Sequence, residues 1–248
     1  MKKNYQFNYA AGRPQMYDLE SRKKKAERMI KTLSHYFGEK NLKKLSLIDI
    51  GASSGIIDNV LATKFKKVVG VDIDKDAISY AKKKFKRKNL IFKVGDALKL
   101  DFKQNTFDVV ICTHIYEHVS DPKKLFKEIY RVLKPDGVCY LAAINKLWPI
   151  EPHYDLPFLS YLPKDWANVY VKIFNKAKQY YETPLSFWEL QKLCSDFKIV
   201  DYTQKIMNDP KKFGYSDKIN GWILIPSQIL SPISKYLAPT FFWLLIKD

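Results

Sequence analysis

LSLIDIGASSG, residues 45–55, is the stretch that decides how this chain folds. An apolar run ends in Asp49, adds one more apolar residue, Ile50, and enters a loop bounded by Gly51 and Gly55. Such a pattern belongs to a buried parallel strand that turns tightly into a helix. Glycine tolerates the backbone of such a turn and has no Cβ to hold a ligand away, while the N–H groups at a helix start are free to bind one. Many nucleotide-binding folds begin this way, and the distances from this turn to the later acidic residues distinguish among them.

Residues 68–71 form the next apolar run, closed by Asp72, 21 residues after Gly51. A spacing of about 20 residues separates the glycine turn from the ribose-gripping carboxylate in Rossmann-type sites. A carboxylate accepts both hydrogen bonds of a vicinal diol. Residues 74–85 read as a helix with Asp74 or Asp76 near its start and lysines at its end. Residues 90–94 are a short third strand, followed by Gly95, Asp96 and Ala97. Residues 107–112, FDVVIC, are a fourth strand, buried on both faces. Leu125, Phe126, Ile129, Val132 and Leu133 fall at helical spacing, Pro135-Asp136-Gly137 stops that helix, and residues 138–143 make a fifth strand. Residues 198–204 read as a sixth strand and 240–246 as a final antiparallel one. The expected fold is α/β, a doubly wound, Rossmann-like, mostly parallel seven-stranded sheet with helices on both faces and an antiparallel last strand. In such a sheet the ligand lies beyond the carboxyl ends of the strands. Asp49 to Gly55, Asp72, Asp96 and the pair Thr113-His114 all fall on that rim.

With these residues in place, the sequence resembles the class I S-adenosylmethionine-dependent methyltransferases, closely over residues 45–145 and loosely elsewhere. The resemblance implies S-adenosyl-L-methionine as cofactor. It implies that the loop of Asp49, Gly51, Ala52, Ser53 and Gly55 wraps the methionine part. It gives Asp72, with Ile73, the ribose, and places Asp96 and Ala97 beside the adenine, with Thr113 and His114 on the same rim. The runs Glu117-His118-Val119-Ser120-Asp121-Pro122 and Leu133-Lys134-Pro135-Asp136-Gly137 look like the small-molecule branch, which includes the quinone-type O- and C-methyltransferases. One departure is Ser53, where the commonest loop of the family has a third glycine.

Three competing readings bear on the same residues. GASSGI also resembles the opening of a short-chain, NAD(P)-dependent reductase, but Ile50 and Ile57 stand where that family usually has threonine and glycine. Its Tyr-x-x-x-Lys pair has two matches, Tyr80 with Lys84 and Tyr130 with Lys134, and both fall on crossover helices away from the rim. His114-Ile115-Tyr116-Glu117-His118 matches the H-x-x-E-H zinc-protease string, which needs a helix. Here the segment follows the fourth strand directly and precedes Pro122. Glu117, His118 and His153 are a conceivable divalent-ion cluster; the simpler reading, with no metal, has Glu117 and His118 hydrogen-bonding the loop.

The chain has 248 residues, 46% of them hydrophobic, and one domain is the natural division. Within it, 1–44 is a helical cap whose helix at 18–37 covers the site, with Tyr17 expected to reach it. Residues 45–145 are the cofactor core, 146–185 an aromatic lid, and 186–248 the last strands with a second apolar insertion. Residues 1–13 lack the apolar core of a signal peptide and no stretch of about 20 apolar residues exists, so a cytoplasmic protein is expected. Cys112, Cys139 and Cys194 have no metal-ligand spacing and read as reduced core residues. The net charge of +17 raises an RNA-directed methyltransferase, or a non-catalytic RNA-associated protein, as the alternative. Only five of the 43 basic residues are arginine, the residue suited to bidentate phosphate recognition, so nucleic acid is disfavoured. Peripheral contact with acidic lipid is compatible with the charge.

The aromatic stretch after Leu147 holds Trp148, Tyr154, Phe158, Tyr161 and Trp166, and it suits a small-molecule or lipid-linked acceptor. Methyl transfer from a sulfonium needs alignment and desolvation more than acid–base help. A hydroxyl acceptor also needs a base. His118 and His153 are the candidates, with His114 and Glu117 as alternates.

Overall fold

The structure, a computed structural model, describes residues 10, 12–215 and 234–248. The strands are β1 (Ser46–Ile50), β2 (Lys67–Asp72), β3 (Leu90–Val94), β4 (Phe107–Thr113), β5 (Leu133–Ile144), β6 (Ile150–Glu151), β7 (Leu156–Pro157), β8 (Lys198–Asp201) and β9 (Thr240–Ile246). The helices are α1 (Leu19–Phe37), α2 (Glu39–Leu42), α3 (Ile56–Leu61), α4 (Lys75–Lys84), α5 (Pro122–Val132), α6 (Lys164–Ile173), α7 (Phe187–Leu193) and α8 (Thr203–Asn208). Seven strands form one sheet in the order β3-β2-β1-β4-β5-β9-β8, and β6 and β7 pair separately. β9 runs antiparallel to both of its neighbours. Strand order reverses between β1 and β4, which opens a crevice at their carboxyl ends.

Alternation along the strands builds two cores. Leu47, Val68, Val109, Ile111 and Tyr140 face α1, α3 and α4, where they meet Met29, Leu33, Leu61 and Ile78. Ile48, Val69, Val110, Cys112 and Leu141 face α5 and α7, where they meet Leu125, Ile129 and Leu190. Both faces being covered explains the unbroken apolar character of β1 and β4. The three cysteines are free and buried, and burial pushes each thiol pKa up.

Helix starts follow their caps. Asp18 accepts the Ser21 N–H at 3.0 Å, Asp74 the N–H groups of Asp76 and Ala77, and Asp121 that of Lys124. Pro122 occupies the first turn of α5. Ser186 and Glu189 close a capping box on α7.

Residues 95–106, between β3 and β4, run as turns, because α5 satisfies their backbone: Arg131 donates to the carbonyls of Leu100 and Phe102, and Glu128 accepts the Leu100 N–H. Three expectations change. Pro135-Asp136-Gly137 does not end α5. The helix stops at Val132, and β5 begins at Leu133 with a bulge against β4, Asp136 adopting φ +60°. The sixth strand of the main sheet in chain order, β8, ends at Asp201, whose carboxylate accepts the Thr203 N–H and starts α8. Tyr17 packs edge-on against Tyr80 at 5.0 Å instead of reaching the crevice, and Met16 and Arg13 take its place. The second apolar insertion, with Trp222 to Pro226 and Ile229 to Ile233, lies outside the described residues.

Candidate active site

The crevice deepens into a cavity of about 820 Å³. Its wall includes Asp49, Gly51, Ser53, Asp72, Ile73, Asp96, Ala97, Thr113 and His114 from the strand rim, and His118 and His153 from beyond it. Three sequence candidates stand behind the wall. Ala52 is buried, Gly55 packs α3 onto its neighbours, and Glu117 is fully buried beneath the histidines.

Two glycines explain the bend of the loop. Gly51 has φ +87°, and a Cβ there would lie 2.9 Å from Cγ1 of Ile115. Gly55 has φ +72°, and a Cβ there would meet the ring of Phe92 at 2.6 Å and Ala81 at 2.7 Å. Ser53 also adopts the left-handed region, at φ +48°. Its backbone therefore has the conformation that favours glycine at this place in the loop.

Asp72 braces that loop. Its Oδ2 accepts the Ser53 N–H at 2.8 Å and its Oδ1 the Asp74 N–H at 2.9 Å. Burial raises its pKa above the usual carboxylate value, and these two N–H groups partly offset the rise. A carboxylate has about four lone-pair directions, so capacity remains for a ligand.

Beneath the loop lies a buried acid that the sequence reading missed. Asp58 of α3 lies over Gly70, where a Cβ would approach its Oδ1 to 2.7 Å. Gly70 is the register partner of Asp49, so the two acids are brought together. Burial, then the Asp58 charge, hold the Asp49 pKa well above normal, with Arg22 opposing. Burial likewise pushes Asp58 up to about 7, its own backbone N–H and Arg22 opposing. The folded value exceeds the unfolded one, so the stability this acid lends at low pH is lost as pH rises from about 4 towards 7. Asp58→Asn is accordingly expected to raise the Tm of the ligand-free protein by a few degrees at pH 8, and by much less at pH 4. A scanning-calorimetry difference independent of pH would contradict this.

At the other end of the cavity two histidines meet three buried carboxylates. His118 and His153 pack edge-to-face with ring centroids 4.9 Å apart. His153 Nδ1 lies 2.8 Å from Glu151 Oε1, and Oε2 of the same carboxylate accepts the N–H groups of His153 and Tyr154. His118 Nδ1 lies 3.5 Å from Glu182, which also accepts the Tyr154 hydroxyl at 2.8 Å. His114 Nδ1 lies 3.7 Å from Glu117. Glu117, Glu151 and Glu182 are all at most 1% exposed. Buried charges of this kind persist only when paired. Burial alone lowers the His153 pKa, but the Glu151 hydrogen bond and the surrounding carboxylates raise it above its ordinary value of 6.5. Burial raises that of Glu117, and His114, His118 and His153 bring it below normal. Residues 114–121 form turns, with no helix to present the H-x-x-E-H string as a zinc protease would. One ligand atom from each of Glu117, His118 and His153 nevertheless falls within 4.8 Å of the others.

Glu151 and Glu182 carried no motif, and only the fold brings them to His153 and His118. Another signal was present in the sequence. Arg22, Lys25 and Arg28, spaced by three residues on α1, all reach the cavity wall.

Comparison with known proteins identifies the family. The family model described as a methyltransferase domain matches residues 48–141. A ubiquinone biosynthesis O-methyltransferase of Pelagibacter ubique is 30% identical over 191 residues, 74% of this chain and 78% of the relative. A demethylmenaquinone methyltransferase of Lactococcus lactis is 34% identical over 134 residues, 53% of this chain but only half of that relative. A chain solved in a complex of the Haloferax volcanii Trm112 methyltransferase activator has the same fold over 99% of both chains, with a TM-score of 0.62 and 17% identity. The fold is one that methyltransferases share. The chain belongs to the class I S-adenosylmethionine-dependent methyltransferases, in the branch that holds the quinone-type enzymes.

Proposed function

We propose that this methyltransferase transfers the methyl group of S-adenosylmethionine to a hydroxyl of a small-molecule or lipid-linked acceptor. The observation that carries the reading is the His153–Glu151 contact at the cavity wall, an imidazole only 9% exposed held by a buried carboxylate. Nδ1 faces Glu151, which leaves Nε2 as the basic nitrogen. A free amine, or a carbon already deprotonated, would need no such base. A hydroxyl does, because its oxygen becomes a good nucleophile only as the proton leaves.

In this reading Asp49, Gly51, Ala52, Ser53 and Gly55 shape the seat of the methionine part. Asp72 and Ile73 take the ribose, Asp96 and Ala97 the adenine, and Thr113 and His114 the rim beside the sulfonium. Ala52 and Gly55 act from behind the wall, by setting the course of the loop. His153 is the base, with His118 beside it. Glu117 and Glu182 flank them with negative charge that stabilises the imidazolium formed when the proton arrives. Residues 1–44 act as a cap, 45–145 as the cofactor core and 146–185 as a lid within one catalytic unit of 1–248, the last strands lying in 186–248. The names of the quinone-biosynthesis relatives support a ring hydroxyl as the acceptor group.

The test is transfer of labelled methyl from S-adenosylmethionine to catechol-type acceptors with and without isoprenoid tails, beside amine acceptors. Methylated hydroxyl product is expected, with a rate that rises with pH through the raised His153 pKa. Glu151→Gln removes the partner that raises it, so the acid limb of the kcat profile should move to lower pH while kcat falls. Transfer to amines alone, or an acid limb unmoved in E151Q, would overturn the reading.

A second reading has one specific observation in its favour, the 4.8 Å cluster of Glu117, His118 and His153. A divalent cation there would lower the acceptor's pKa directly. Dialysis against a chelator separates the two: activity persists if His153 is the base and disappears if a cation is required.

A further inference from the structure

The cavity keeps its charges apart. The acids of its wall gather on the strand rim, as Asp49, Asp72, Asp74 and Asp96, with Asp155 on the insertion between β5 and α7. Cations run along α1, where Arg22, Lys25 and Arg28 succeed one another at intervals of three residues. Arg22 answers the rim: burial raises the pKa values of Asp49 and Asp58, and the Arg22 charge opposes the rise. Arg28 stands six residues on, about 9 Å further along the helix, and faces a different part of the cavity. Burial raises the hydroxyl pKa values of Tyr140 and Tyr215, and there it is the Arg28 charge that opposes. The proposed cofactor seat occupies the ends of β1, β2 and β3. Tyr140, Phe242 and Ile206 come from β5, β9 and α8, on the far side of β4 in the sheet order. Arg28 is only 6% exposed, and its plane is fixed. Its Nε donates to the Gly214 carbonyl at 2.9 Å, and its Cζ lies 4.5 Å from the centre of the Tyr215 ring. A guanidinium is costly to bury, and one held flat against an aromatic ring is preorganised to meet an oxyanion.

We propose that Lys25 and Arg28 form an anion subsite, in which a carboxylate or phosphate group of the acceptor lodges while its apolar body lies against Met29, Ile206 and Phe242. The acceptor is then an anion, hydroxylated where it meets His153 and charged where it meets α1. Two cations in a wall of low dielectric attract such a group far more strongly than they would in water, and a neutral analogue forgoes that attraction. The subsite is separate from the methionine seat, because Arg22 is the cation beside Asp49. This assignment names the substrate class of the hydroxyl transfer proposed above and rests on it, yet binding of the anion can be read with no methyl transferred.

The experiment is titration calorimetry of the full chain, saturated with S-adenosylhomocysteine, against 3,4-dihydroxybenzoate and its neutral amide, 3,4-dihydroxybenzamide. The benzoate is expected to bind about tenfold tighter or more, with an advantage that shrinks in high salt. Lys25→Gln should cut that advantage several-fold, and Arg28→Gln should abolish it. Arg28 also holds Gly214, so K25Q, whose side chain is half-buried, decides the matter if R28Q does not fold. A phosphonate on the same ring, run beside the benzoate, distinguishes a phosphate-bearing acceptor from a carboxylate-bearing one, and preference for either over the amide supports the subsite. Equal affinity for the anions and the amide, or an advantage fully kept in K25Q, would overturn the proposal. So would a parallel fall in S-adenosylhomocysteine affinity in the variants, which would give the two cations to the cofactor's own carboxylate. An intact preference for the anion with no methyl transfer to any hydroxyl would leave the subsite standing and count against the function proposed above.

Discussion

Asp72→Ala is expected to weaken S-adenosylmethionine binding by at least tenfold, measured by titration calorimetry. Two effects add. The variant loses a charged acceptor for the ribose hydroxyls, worth about 1.5–3 kcal/mol, or roughly ten- to hundredfold. It also releases the Ser53 and Asp74 N–H groups that the carboxylate holds at 2.8 and 2.9 Å, so the glycine loop loses its brace. Ser53 sits at φ +48° with its N–H given to that carboxylate, and it is the residue expected to move. Affinity equal to wild type would remove Asp72 from the site.

His153→Asn is expected to lower kcat by about a hundredfold or more, the range of a positioned general base. Binding of S-adenosylhomocysteine should stay within about twofold, because His153 belongs to the insertion and the proposed cofactor seat belongs to the strand rim. The split matters more than the size of the loss. A fall in cofactor affinity equal to the fall in kcat would mean that the imidazole merely supports the cavity. Unchanged kcat on a hydroxyl acceptor would transfer the role of base to His118, which shares the edge-to-face contact and has Glu182 at 3.5 Å.

The rim was legible in sequence because parallel strands advertise themselves twice, as apolar runs and as the acids that end them. Asp49, Asp72 and Asp96 are each tied to a strand terminus by only a few residues, so their convergence results from the sheet order. Gly51 and Gly55 were equally readable, since positive φ at a strand–helix turn leaves few choices of residue. The turn segment between β3 and β4 was less so, because what holds it is Arg131 and Glu128, some 30 residues downstream. Glu151 and Glu182 lay beyond reach for the same reason. They lie 31 residues apart and meet the histidines only once the insertion has folded on its own core. Asp58 was hidden among the apolar residues of α3, and its partner Asp49 lies across the sheet face above Gly70.

The chelator, pH and anion-binding experiments each address one part of the molecule, but the placement of the nucleoside underlies them all. A crystal structure of the protein with S-adenosylhomocysteine tests it directly. Both ribose hydroxyls are expected within hydrogen-bonding distance of the Asp72 carboxylate, with the sulfur facing His153. A nucleoside bound away from the ends of β1 and β2, or turned so that its ribose faces the insertion, would contradict the account.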